Sequence, residues 1–124
     1  MSRILVAEDD LAQACLRKIL LEQAGHEVVV ATDPSGTLRR LERDRPDVLL
    51  MDLRYPNAMG DPDAREGMAL IRRIREAGWN TPVVVISGWP DQIYGAPEER
   101  MVSLILVKPV PPEALLRAIA ELLA

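Results

Sequence analysis

Four places in this 124-residue chain end an apolar run with residue types that could share one chemistry. Glu8, Asp9 and Asp10 follow Ile4–Ala7, Asp52 follows Val48–Met51, Ser87 follows Val83–Ile86, and Lys108 follows Leu104–Val107. Carboxylates brought together repel, and ionising them all is costly unless a cation stands among them. A hard divalent ion answers that, and Mg²⁺ is the usual choice for two or three carboxylates completed by water and a phosphate oxygen. A hydroxyl and an ammonium facing the same acid form a cradle for phosphoryl oxygens. The set therefore reads as a carboxylate nucleophile, Asp52, with Mg²⁺ and Lys108 offsetting the charge of an entering phosphoryl group. Each residue alone has a plainer reading. Asp9 or Asp10 could cap a helix, Ser87 could serve a turn, and Lys108 could be a solvated charge. What favours a shared site is that four separate run ends agree on one chemistry.

For these residues to meet, the runs must lie side by side. Five short runs are continuous rather than alternating: residues 4–7, 28–31, 48–51, 83–86 and 104–107. Continuous runs mark strands covered on both faces, as in a parallel sheet with helices on each side. Helical spacing follows each run. Leu16, Ile19, Leu20 and Ala24 mark a helix over 11–24, closed by Gly25. Residues 34–43 form a second helix, with Thr32 or Asp33 as its cap and Pro34 in its first turn. Residues 67–77 form a third, ended by Gly78, and 112–123 a last, clearly amphipathic one. Between Gly88 and Ser103, Pro90, Gly95 and Pro97 allow only a short or irregular helix. The fold expected is α/β, a doubly wound five-stranded parallel sheet in order 2-1-3-4-5, forming one domain over 1–124. Ligands in such sheets bind beyond the carboxyl ends of the strands, where Glu8 or Asp9 would neighbour Asp52.

The bulk composition agrees. The chain is 48% apolar and 27% charged, ordinary for a globular domain. No apolar run is long enough for a membrane span, no signal peptide is evident, and a single cysteine, Cys15, forbids an internal disulfide. These features suit the cytoplasm. Cys15 reads as a small buried or half-buried helix residue. The net charge of −4 argues against nucleic acid as a direct partner. Of the 15 basic residues only Lys18 and Lys108 are lysines, which singles out Lys108.

The segments ILVAEDD (4–10), PDVLLMDLRYP (46–56), TPVVVISG (81–88) and LVKPV (106–110) resemble the receiver domains of bacterial two-component response regulators. The likeness runs in order along nearly the whole chain. It implies a flavodoxin- or CheY-like fold and a phosphoryl group taken by Asp52 from the phosphohistidine of a histidine kinase or phosphotransfer protein. Such a domain catalyses only its own aspartyl phosphorylation and dephosphorylation. It further implies Mg²⁺ held by Glu8, Asp9, Asp52 and the backbone carbonyl of Arg54, with Ser87 and Lys108 on the phosphoryl oxygens. A cis Lys108–Pro109 bond is also expected. Signalling would pass by a shape change to a protein partner or to an output domain absent from this chain, with phosphorylation-dependent homodimerisation as a further option. The alternative is a pseudo-receiver that binds partners without being phosphorylated.

Two departures from that family pattern stand out. Gly67, eleven residues after Pro56, marks an insertion of about seven residues within 57–66, either a tolerated surface loop or one facing a partner. The family usually carries Tyr or Phe three residues before the lysine, where this chain has Ile105. That ring is half of the usual switch with the hydroxyl residue, so Ser87 would act alone or output would use other surfaces. Trp89 and Arg54 occupy positions that, in the family this chain resembles, tune the access of water to an acyl phosphate. Trp89 either crowds that access or packs on its loop. Tyr55 reads as local packing with some contact to the site, Trp79 as a packing residue, and His26 as structural.

Overall fold

The computed structural model describes residues 2–124. In chain order the elements are β1 (Arg3–Ala7), α1 (Leu11–Gln23), β2 (Glu27–Ala31), α2 (Pro34–Asp44), β3 (Val48–Asp52), β4 (Tyr55–Pro56), β5 (Pro62–Asp63), α3 (Ala64–Glu76), β6 (Val83–Ser87), β7 (Leu104–Val107) and α4 (Pro112–Leu123). The five long strands form one parallel sheet in the order β2-β1-β3-β6-β7, which is the expected 2-1-3-4-5 pattern.

The continuous apolar runs are explained by what each face meets. Successive side chains point to opposite sides of a strand. Leu5, Ala7, Leu49, Met51, Val83 and Val85 pack with Leu41 of α2 and with Leu70, Ile71 and Ile74 of α3. Ile4, Val6, Val48, Leu50, Val84 and Ile86 pack with Leu21 of α1 and with Leu115 and Ile119 of α4. Burial of each such Val, Leu or Ile contributes roughly 1.5–3 kcal/mol, so the two layers dominate the folding free energy.

Aspartates start three of the helices. Asp10 accepts from the N–H groups of Ala12 and Gln13, Asp33 from that of Gly36, and Asp63 from that of Arg65. Asp10 is thus the cap of α1, and of the two candidates Asp33 is the cap of α2.

Four expectations need correction. First, the core-facing side of α1 is Ala14 and Leu21 with Leu20 half-buried beside them, while Leu16 (68% exposed) and Ile19 (52%) face outward. The apolar spacing misled because a charged residue, Arg17, lies on the inner side. Second, Cys15 is exposed rather than buried, because it follows Ala14 on the outer face. Third, α3 begins at Ala64 and not at Gly67. Fourth, the inserted stretch is not a plain loop. Tyr55–Pro56 and Pro62–Asp63 pair as a small antiparallel hairpin. Asn57 fastens its turn, accepting from the N–H groups of Met59 and Asp61 and donating to Asp63.

Gly67 is needed for a close approach. Its N–H donates to the carbonyl of Leu53 at 2.9 Å, and a Cβ there would lie 2.2 Å from that oxygen. Glycine therefore lets α3 pack against the chain just after Asp52.

Between β6 and β7 the chain makes two 3-10 turns, Pro90–Gln92 and Pro97–Met101, as the prolines require. Arg72 of α3 holds buried Glu98, and that bond keeps the Glu98 carboxyl below its ordinary pKa. Arg75 donates to the carbonyls of Met101 and Trp79. Trp79 packs half-buried against the core, as expected, with the Arg45 guanidinium 5.8 Å from its ring centre.

Candidate functional site

Strand register brings the expected residues to one rim. Ala7 lies beside Met51, so the next residues, Glu8 and Asp52, leave β1 and β3 at the same level. Asp52 lies beside Ile86, and Ser87 beside Val107. Lys108 N–H then donates to the Ser87 carbonyl at 2.9 Å, which carries the β6–β7 ladder one residue further and fixes where the lysine departs.

Asp52 is the centre of this rim and is only 6% exposed. Its Oδ2 accepts from Lys108 Nζ at 2.6 Å, and its Oδ1 accepts from the Arg54 N–H at 3.1 Å. The lysine that sequence alone picked out is thus the direct cationic partner of the acid. Ser87 is fully buried and its Oγ accepts from the Trp89 N–H at 3.1 Å, which leaves the hydroxyl hydrogen for an acceptor at the rim. The Lys108–Pro109 bond is cis, as expected.

Glu8 is 1% exposed, and its Oε2 has no hydrogen-bond partner. Burial, and then the charge of Asp52, push its carboxyl up to about 7. Asp9 stands exposed beside it and adds to the repulsion. As placed, no three carboxylate, imidazole or thiolate groups among the described residues are close enough to hold an ion. Lys108 meets Asp52 instead. The donor chemistry nevertheless fits a hard divalent cation: a buried carboxylate oxygen without a partner, next to a second carboxylate and an exposed third.

Tyr55 completes the floor. It is fully buried, its hydroxyl donates to the Ala7 carbonyl at 2.9 Å, and burial raises its pKa well above the ordinary value. The bond ties the start of the hairpin to the end of β1, one residue before Glu8. Ile105, at the position of the family's aromatic ring, is half-buried against the layer formed with α3. Trp89 is 66% exposed, so little of it packs on its loop.

One residue at the rim was missed. Arg17 of α1 reaches to 4.0 Å from Glu8 Oε1 with a largely buried side chain. The signal was in the sequence: Arg17 stands three residues from Ala14 and four from Leu21, on the stripe that faces the sheet.

Comparison with known proteins places this geometry in context. The family model described as response regulator receiver domain matches residues 4–120. The chain is 38% identical over 86 residues to the CAI-1 autoinducer sensor kinase/phosphatase CqsS of Vibrio cholerae, covering 69% of this chain and 12% of that protein. It is 32% identical over 96 residues to the virulence transcriptional regulatory protein PhoP of Salmonella typhimurium, covering 75% of this chain and 40% of that protein. The chain thus matches less than half of either relative. Among solved structures, the response regulator protein TrrA of Thermotoga maritima in complex with Mg²⁺-BeF superposes with a TM-score of 0.84 at 19% identity, over 98% of this chain and 99% of that one.

Proposed function

The chain belongs to the response regulator receiver domain family, and from that premise we propose that it is a phosphoacceptor, loaded on Asp52 by a phosphohistidine. The observation that carries this reading is the 2.6 Å contact of Lys108 Nζ with a carboxylate that is otherwise almost enclosed. In the transfer, an Asp52 oxygen lone pair forms the new P–O bond while the P–N bond of the donor breaks. The imidazole nitrogen keeps that electron pair. Lys108 balances the charge gathered on the phosphoryl oxygens, and the Ser87 hydroxyl donates to one of them. The Arg54 N–H steadies the carboxylate before transfer. Mg²⁺, when bound by Glu8, Asp9, Asp52 and the Arg54 carbonyl, supplies further neutralisation of that charge.

The partner would be a cytoplasmic histidine kinase or phosphotransfer protein. Exposed Leu11, Leu16 and Ile19 support a helical partner, because α1 offers apolar surface where a soluble helix would usually be polar. Leu16, Ile19 and Lys108 are among the residues that line a groove of about 810 Å³. The described helices include none long and apolar enough to cross a membrane. The receiving element downstream would be a separate protein, a second copy, or an output domain.

Ile105 favours a second reading, a pseudo-receiver that binds partners and is not phosphorylated. Beryllofluoride with Mg²⁺ separates the two. In a Trp79→Phe background, Trp89 emission should change on their addition, because Ser87 Oγ, which accepts the Trp89 N–H, would turn toward the bound anion. An unchanged spectrum, identical to that of Asp52→Ala, would favour the pseudo-receiver.

A further inference from the structure

Arg17 is a charged side chain set against the buried face of its helix. Its side chain is only 12% exposed, and one end of the guanidinium, Nη2, donates to Gln13 Oε1 at 3.3 Å. The other end, Nη1, is buried, has no hydrogen-bond partner, and lies 4.0 Å from Glu8 Oε1. Glu8 mirrors it, with Oε2 also buried and unpartnered. Opposite charges are therefore held side by side out of water, near enough to attract and too far apart to hydrogen-bond. A buried charge is costly unless something nearby needs it.

The need comes from Glu8. Three charged groups face it besides Arg17: Asp52, Asp9 and Lys108. Two of them are acids, and the lysine is already bound to Asp52. Arg17 is thus the cation within 4.0 Å of Glu8 among the described residues. A divalent ion drawn to Glu8 would meet the guanidinium as a like charge at close range, where little water screens it.

We propose that Arg17 is a built-in counter-cation of the acid rim, which pairs with Glu8 in the metal-free protein and, by competing for that carboxylate, limits how tightly the rim takes Mg²⁺. The proposal rests on the reading that the rim binds Mg²⁺. It makes Arg17 a positioning residue, acting through Glu8 rather than on a phosphoryl group. The bond to Gln13, one turn earlier on α1, gives the guanidinium a second anchor toward which it can withdraw when an ion arrives.

The test is calorimetric titration of the intact chain with MgCl₂ at pH 8 and low salt. Arg17→Met keeps the aliphatic stem and removes the charge, so packing changes little. It should bind Mg²⁺ about tenfold more tightly than the wild type, and Arg17→Lys should stay within about twofold of it. If Arg17→Met does not fold, Arg17→Gln carries the same expectation. Unchanged or weaker binding in the charge-removed variant, with the wild type binding Mg²⁺ normally, overturns the role of Arg17 alone. If neither the wild type nor the variant binds Mg²⁺, the metal site and this inference fall together.

Discussion

Lys108→Ala slows the loading of Asp52 by a small phosphodonor such as acetyl phosphate by about two to three orders of magnitude, the cost of removing one donor aimed at developing negative charge. Lys108 Nζ is 2.6 Å from Asp52 Oδ2, so an incoming phosphoryl group arrives beside an ammonium already in place. The backbone bond from Lys108 N–H to the Ser87 carbonyl fixes the root of that side chain. Little reorganisation is therefore needed during transfer. Lys108→Arg would not restore the rate, because a planar fork cannot take the place of a compact point charge in so enclosed a site. Loading followed by intact mass, with Mg²⁺ saturating, gives the rates. A Lys108→Ala rate within twofold of the wild type would remove the lysine from the mechanism.

Glu8→Gln should flatten the pH dependence of the metal-free protein's stability while weakening its response to Mg²⁺. In the folded protein the Glu8 carboxyl is raised from 4.5 to about 7, first by burial and then by Asp52. The sign follows from where each state holds the proton. Between those two values the folded protein keeps a proton that the unfolded chain has lost. Stability therefore falls as pH rises through that window and levels off above it. The full loss is on the order of 3 kcal/mol, and an amide, which does not ionise, escapes it. Urea denaturation in EDTA should show the wild type weakening from pH 5 to pH 8 by much more than Glu8→Gln. Adding Mg²⁺ at pH 8 should recover much of the difference for the wild type and little for the variant. Parallel pH profiles for the two proteins would show that Glu8 is not held in the state described.

The sheet was legible in the sequence because every long strand is buried on both faces, which forces an unbroken apolar run. Val48–Met51 is the plainest case, and its position fixed Asp52 as a strand-end acid. The cap of α2, narrowed to Thr32 or Asp33, and the ends of β7 and α4 were legible for similarly local reasons. Features that depend on distant partners were not. The hairpin has strands of two residues each, too short for any periodicity, and its turn relies on the Asn57 side chain. The path of residues 90–101 depends on Arg72 and Arg75 of α3, far away in sequence. The inner face of α1 was misassigned because two exposed aliphatics outvoted one buried arginine. In that misassigned position lies Arg17, so the failure of the apolar pattern marked a residue at the site.

The most direct measurement is the intact mass of the protein after treatment with acetyl phosphate and Mg²⁺, run beside Asp52→Ala. The account predicts one added phosphoryl group on the wild type, absent without Mg²⁺ and absent from the variant. A wild type that gains none, or an Asp52→Ala variant that gains one equally well, would contradict it.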